Sequence, residues 1–314
     1  MRSSRLCKLS ISLVVVMAGV LASAGAANAD KVLLFGPSVF GGADSIEAQQ
    51  AAAQGLGVDV VDAATWSSMT TAQFAQYRAI VIGDNHDSGD ATDLAAAESN
   101  ASVWGAAVNG SVIVTGADPE YHGDPDGGDD PGAVTYINRA LAFAAGAPVQ
   151  TGAYVALSSD YDGTDTPARV LDAFAPGGFS STGGDDDNIH IDPAVSGPTG
   201  LSDPILSDWS DTTHTYFSRY PSTFKVWAVG VDASGPYRTS DGQQGFPDFL
   251  VRPAGPTCTV PKIKGKRLKK AKKKLRNHSC RLGKVKGHGK KVKKQTPGAG
   301  TLLPEGSTVK VKVG

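Results

Sequence analysis

Apolar residues recur along this chain in two rhythms. Between residues 31 and 157, short runs dense in aliphatic side chains alternate with stretches of helical period. Val32-Leu33-Leu34-Phe35, Val58-Asp59-Val60-Val61, Ala79-Ile80-Val81-Ile82, Val112-Ile113-Val114 and residues 153–157 read as strands. Little polar residue alternates within them, which is the pattern of strands covered on both faces. Helices are predicted between them over 45–54, 71–77, 94–108 and 133–145. Strand and helix in turn over this spacing predict an α/β domain, a mostly parallel sheet with helices on both faces. A further strand is predicted at 226–231, after a segment that holds Trp209, His214, Tyr216, Phe217 and Tyr220. Those aromatics suit either core packing or sugar stacking. Near the end the rhythm changes. Leu268, Ala271 and Leu275 mark one face of a short helix, and Val309, Val311 and Val313 alternate with Thr308, Lys310 and Lys312 as in a half-buried strand.

Charge divides the chain at the same place. The formal net charge of the 314 residues is −1, yet residues 30–255 hold 8 Lys/Arg against 30 Asp/Glu, and residues 256–314 hold 19 against the single Glu305. The net charges are −22 and +18, so two modules with different surroundings are expected, joined by Arg252-Pro253-Ala254-Gly255-Pro256. Their bounds are read as 30–252, 253–257 for the linker, and 258–314. The first 29 residues read as a secretory signal: Arg2, Arg5 and Lys8, an apolar stretch from Ile11 to Leu21, then Ala27-Asn28-Ala29. Cleavage near Ala29 and a secreted, extracellular protein are expected, with no membrane span after it. Beyond that signal only Cys258 and Cys280 remain. In an exported chain such a pair is most simply a disulfide.

The basic module carries Val260-Pro261, Gly265, Leu268, Ala271, Leu275, Leu282-Gly283, Gln295-Thr296-Pro297-Gly298, Pro304-Glu305-Gly306-Ser307 and the alternating valines in order. In this it resembles one repeat of the PASTA domain, a small α+β fold. The resemblance implies a bacterial protein at the cell wall, since PASTA domains occur in wall-synthesis enzymes and receptor kinases, where some bind muropeptides. Its lysines exceed what the fold needs. Lys269, Lys270, Lys273, Lys274 and Arg276 crowd the helix, and Lys290, Lys291, Lys293 and Lys294 form a second cluster. Such density attracts polyanions, so peptidoglycan or an anionic wall polymer is the expected partner. Nucleic acid fits the charge but not the compartment, and no aromatics interleave the lysines.

The element order of the acidic module resembles flavodoxin-like sheets and the class I glutamine-amidotransferase-like superfamily, in which a strand running into a tight turn presents the active residue. That turn would be Gly116-Ala117-Asp118-Pro119-Glu120-Tyr121-His122. Amidotransferase chemistry needs a thiolate, and residues 30–252 contain no cysteine and no Gly-x-Ser-x-Gly elbow. What remains is carboxylate and imidazole. His86, His122, His190 and His214 fall in loops or at element ends, and Asp118, Glu120, His86 and His122 are the candidates for acid–base chemistry. Asp124, Asp126 and Asp129 share the spacing Asp-x-Asp-Gly-x-Asp with Asp160, Asp162 and Asp165, which suits either a Ca²⁺ loop or an ordinary Asp-Gly turn; no other cofactor is expected. The preferred function is a non-catalytic, wall-associated protein. The alternative is a secreted hydrolase acting on a glycan, with the basic module as its targeting device.

Overall fold

The computed structural model describes residues 30–84 and 93–314. In chain order the first strands are β1 (Lys31–Phe35), β2 (Gly57–Val61), β3 (Ala79–Ile82), β4 (Val108–Thr115) and β5 (Thr151–Ala156). The chain continues through β6 (Thr166–Pro167), β7 (Ser180–Asp186), β8 (Ile189–Ile191), β9 (Thr213–Arg219), β10 (Lys225–Gly230), β11 (Tyr237–Arg238) and β12 (Gln244–Arg252). The main sheet runs β2-β1-β3-β5-β4-β12-β10-β8, with β11 paired to β12. From β2 to β4 neighbours are parallel, and from β4 to β8 they are antiparallel. β6, β7 and β9 form a separate antiparallel sheet.

The expected α/β class is present, but the flavodoxin-like order is not. That order would be 2-1-3-4-5, whereas here β5 lies between β3 and β4 and the sheet continues through β12, β10 and β8. The physical reason lies in the strands themselves: β5 is buried throughout and β4 nearly so. An unbroken apolar run announces that it is central without marking which neighbours flank it.

Alternate residues of the parallel strands fall into two apolar clusters, one on each face of the sheet. Leu33, Ile80, Val112, Val114 and Val155 belong to one, and Val32, Leu34, Val81, Ile113 and Tyr154 to the other. The second face is covered by α1 (Ile46–Ala53) and, later in the chain, by a 15-residue helix, Pro131–Ala145. The first is covered by α2 (Ala63–Ser68), α3 (Thr71–Phe74), α4 (Ala95–Ser99) and α5 (Ala101–Gly105), where Trp66, Phe74 and Trp104 meet edge to face. The single helix expected over 94–108 is therefore two. It breaks at Asn100, whose side-chain amide donates to the Trp66 carbonyl at 2.9 Å. The chain next forms α6 (Pro119–Gly123) and then the long helix, α7. Asp130 and Pro131 start α7: the carboxylate accepts from the amides of Gly132 and Ala133, and proline occupies the first helical position. α8 (Asp203–Leu206) completes the domain.

The C-terminal residues form β13 (Thr257–Thr259), α9 (Leu268–Arg276), β14 (Arg281–Lys286), β15 (Val292–Thr296), β16 (Leu302–Pro304) and β17 (Thr308–Val313). β17 is central, parallel to β14 and antiparallel to β15. Ala271 and Leu275 of α9 pack with Val309, Val311 and Val313 in a small core that also contains Cys258 and Cys280. These two cysteines form a disulfide, with Cα atoms 4.9 Å apart. It ties β13 to the end of α9 in a module too small for its core alone to supply much stability. Among the described residues no helix is long and apolar enough to cross a membrane.

Closing a loop of this size contributes about 3 kcal/mol. The variant C258A/C280A is therefore expected to raise hydrogen-exchange rates of the β14, β15 and β17 amides on the order of a hundredfold, with β1, β3 and β5 unchanged. Exchange mass spectrometry on the full chain reads both.

Candidate functional site

The carboxyl ends of β3 and β4 carry Asp84 and Asp118, placed where loops after parallel strands normally form a site. The exit of β4 is fixed by Asp248, a fully buried residue of β12. Its carboxyl accepts from the Gly116 amide at 3.1 Å, the Thr213 hydroxyl at 2.5 Å and the Thr115 hydroxyl at 3.3 Å. Burial pushes this carboxyl up to about 7, against the pull of the bonds from Thr213 and Gly116. Gly116 in turn accepts from the amides of His214 and Thr215, bringing β9 against the exit of β4. A Cβ on Gly116 would lie 1.9 Å from the Thr215 carbonyl oxygen, so only glycine permits this approach.

The result is a cleft of about 440 Å³ walled by Asp118, Tyr121, His122, Asp130, Trp209 and His214. Asp118 is 1 % exposed and stands at the start of α6, four residues before His122, which is also buried. His122 Nε2 lies 2.9 Å from Asp118 Oδ1 and 3.2 Å from the Asp211 carbonyl oxygen. His214, on β9, places Nε2 3.1 Å from Asp118 Oδ2 and Nδ1 3.4 Å from Asp185. One carboxyl group thus faces two imidazoles on separate elements.

Behind the cleft lie three buried carboxyls, Glu47 of α1, Asp84 and Glu120. The Glu120 amide donates to Asp84 at 3.1 Å, and the Phe40 amide donates to the Glu120 side chain at 2.7 Å. Glu47 and Glu120 lie close enough to feel each other's charge, and two carboxyls buried together cannot both ionise without a large penalty. Burial holds Asp84 and Glu120 well above the usual carboxylate range, and the negative charges around each add to it: Asp118 and Glu47 for Asp84, Glu47 and Asp84 for Glu120. Burial raises Glu47 too.

Of the four residues expected to carry acid–base chemistry, Asp118 and His122 converge. Glu120 does not join them in the cleft wall; it turns into the carboxyl cluster. His86 lies outside the described residues. The sequence picked out His214 only as one loop histidine among several, because its meeting with Asp118 spans 96 residues. Asp84, Glu47 and Asp248 carried no local signal at all.

The two Asp-Gly loops behave as turns. Asp124 accepts from the Asp126 amide at 2.7 Å, and Asp165 accepts from the Ser218 hydroxyl at 2.8 Å. Asp129 and Asp165 hold left-handed backbone, with φ of 52° and 49°, which aspartate tolerates better than most residues. Among the described residues, Asp124, Asp126 and Asp129 do not gather with Asp160, Asp162 and Asp165 into a ligand set; that distinction belongs to Asp118, His122 and His214. His190 is clamped between Asp203 at 2.8 Å and Asp241 at 3.1 Å and does not line the cleft. Trp209 is buried in the core, whereas Tyr216 and Tyr220 join Tyr237, Phe246 and Pro247 in an apolar trough of about 530 Å³. Tyr216 and Phe246 stack with ring centres 4.8 Å apart.

On the C-terminal module, residues 259–314 match the family model of the PASTA domain. This module is a PASTA domain. No curated protein and no solved structure matches the chain significantly. The charge of the PASTA domain falls on two faces. Lys269, Lys270, Lys273, Lys274 and Arg276 belong to α9, over the core side of the sheet. Lys310 and Lys312 alternate with the core valines of β17 and therefore project from the opposite side. Lys312 pairs with Lys286 of β14 and with Lys294 of β15. With Lys284, Lys310 and Thr296 these line a groove of about 330 Å³. Lys294 is the one groove lysine expected from sequence; Lys290, Lys291 and Lys293 flank it in and before β15. Like charges directly opposite each other in a sheet are destabilising, so the groove has an unmet demand for anions.

The joint at Asp248 has a measurable pH signature. The unfolded carboxyl ionises at about 3.9 and the folded one at about 7, so the native state loses stability relative to the unfolded state as pH rises through that interval. Between pH 5 and 8 the wild type is expected to lose about 2 to 3 kcal/mol relative to D248N, which keeps an acceptor for Gly116 and has no proton to lose. Urea denaturation at the two pH values measures the difference. D248A, which strips partners from Gly116 and Thr213, is expected to be destabilised at both.

Proposed function

We propose that this is an exported protein retained at the bacterial cell wall by its PASTA domain, with an anionic wall polymer as the ligand. The observation that carries this reading is the register of Lys286, Lys312 and Lys294 across three neighbouring strands, joined by Lys284 and Lys310 in one groove. A chain of regularly spaced phosphates or carboxylates laid along such a groove neutralises several lysines at once and releases their counterions. The disulfide and the apolar stretch near the N-terminus support a site of action outside the cell.

A second reading gives the α/β domain a hydrolytic role on a glycan, with the PASTA domain as its anchor. The convergence of Asp118, His122 and His214 in an open cleft supports it. The trough formed by Tyr216, Tyr220, Tyr237 and Phe246 offers apolar ring faces of the kind sugars stack on. Amidotransferase chemistry is not part of either reading, because that chemistry needs a thiolate and residues 30–252 contain no cysteine.

Sedimentation of the protein with purified wall material at increasing salt tests the primary reading. K286E/K294E/K312E is expected to lose on the order of a hundredfold in affinity, at about 1 kcal/mol per lysine at an anionic surface, and to bind with a shallower salt dependence. K269E/K270E/K273E on α9 is expected to lose less. Retention unchanged by salt and by the sheet substitutions would overturn polyanion binding in favour of muropeptide recognition, and absence of binding by the wild type would overturn wall retention itself.

A further inference from the structure

We infer that Asp118, His122 and His214 form a binding site for a divalent transition-metal cation of the Zn²⁺ class. The inference stands on the α/β cleft alone and is independent of wall retention. The ligand atoms that the three residues can offer all lie within 4.8 Å of one another. Two ligands at about 2.0 to 2.1 Å from a shared ion, separated by angles between octahedral and tetrahedral, sit roughly 2.9 to 3.4 Å apart. The observed separations are 2.9 Å from Asp118 Oδ1 to His122 Nε2 and 3.1 Å from Asp118 Oδ2 to His214 Nε2, so each imidazole meets its own oxygen of the one carboxylate.

A second feature sets this cluster apart from an ordinary hydrogen-bonded triad. The buried Oδ1 of Asp118 accepts no hydrogen bond, although His122 Nε2 is 2.9 Å away, and the buried Nδ1 of His122 has no hydrogen-bond partner either. Leaving such atoms unmatched in a buried site is costly. A cation placed between the ring nitrogens and the carboxyl satisfies the oxygen directly, and the ring proton that His122 turns toward the Asp211 carbonyl moves from Nε2 to Nδ1 as the metal enters, leaving the imidazole neutral. The frame around the ligands is rigid. Asp118 and His122 are spaced i, i+4 at the start of α6, and β9 is locked to the β4 exit by the bonds from His214 and Thr215 to Gly116. Asp185 beside His214 Nδ1 supplies the outer carboxylate that commonly orients a metal-bound imidazole.

The donor set names the class of ion. Two imidazoles and one carboxylate favour Zn²⁺ and its first-row neighbours, whereas Ca²⁺ needs six to eight oxygens. Three protein ligands with the remaining positions turned to an open cleft leave room for water or substrate. A cation held there supplies a polarising centre and a more acidic bound water.

Protein stripped with chelator and titrated calorimetrically with Zn²⁺, Mn²⁺, Co²⁺ and Ca²⁺, with the visible absorption of Co²⁺ as a second readout, decides the matter. One equivalent of Zn²⁺ is expected to bind with a Kd in the micromolar range or tighter. Co²⁺ is expected to give ligand-field bands, and Ca²⁺ to bind at least a hundredfold more weakly. H214A, which removes the imidazole and keeps the backbone bond from residue 214 to Gly116, is expected to weaken Zn²⁺ binding at least a hundredfold and to abolish the Co²⁺ bands. D118N is expected to do the same, while H190A, at the histidine clamp outside the ligand set, leaves both unchanged. No stoichiometric binding of any transition ion, binding undisturbed by H214A, or a preference for Ca²⁺ would each overturn the assignment.

Discussion

The buried carboxyl of Asp248 is the constraint on which the α/β domain turns. It sits on β12, the first antiparallel strand beside the parallel half of the sheet, and receives bonds from both sides of the cleft: Thr115 and Gly116 at the end of β4, and Thr213 at the start of β9. β4 must end where β12 can reach it, and β9 must begin where Gly116 can accept its amides. Asp118 and His214 are each only one or two residues beyond those anchored positions, so their mutual geometry is inherited from the joint rather than from their own loops. A carboxyl held up to about 7 by burial is an expensive fastener at neutral pH. Its retention at the sheet's change of direction is intelligible as the means of joining two elements that no local sequence feature brings together.

The other buried acids follow a related logic. Glu47, Asp84 and Glu120 come from a helix, a strand end and a second helix, and burial together with one another's charge drives them toward the neutral form. A neutral carboxyl brings no charge to desolvate, so the cluster persists in a place that could not accommodate three charges. The consequence for the cleft is a division of labour. Glu120, which looks from the sequence like an acid–base partner of Asp118, is turned inward to support the helix that carries His122, and the face open to solvent is left to one carboxyl and two imidazoles.

Much of this was legible in the sequence where the signal is local. The five parallel strands lie where their apolar runs place them, though β4 begins earlier than expected and the helix before it is split by Asn100. The cysteine pairing and the elements of the PASTA domain match their pattern of glycines, prolines and valines. What was illegible is everything that depends on registry between distant segments. β4 and β5 are interchangeable as buried runs, so their order in the sheet could not be read. Lys284, Lys286, Lys310 and Lys312 each look like the solvent side of a strand, and only the pairing of three strands stacks them with Lys294 into one groove. Asp84 follows β3 as an unremarkable polar residue until the fold sets it against Glu120.

The opposite charges of the two halves then acquire separate physical roles. A domain carrying −22 is repelled by a polyanionic surface, so on the proposed function attachment must come from the +18 of the C-terminal residues, and chiefly from the sheet face where lysines are already forced together. At physiological ionic strength charges are screened over about 8 Å, far less than the dimensions of either half, so the acidic domain does not neutralise the lysine groove merely by being covalently attached. The same acidity has a converse effect at the cleft. It raises the local concentration of divalent cations around Asp118, His122 and His214, and a polyanionic wall does so again for any protein bound to it. An anion-binding anchor and a cation-collecting domain therefore do not compete: each electrostatic sign draws the ligand that the other would exclude.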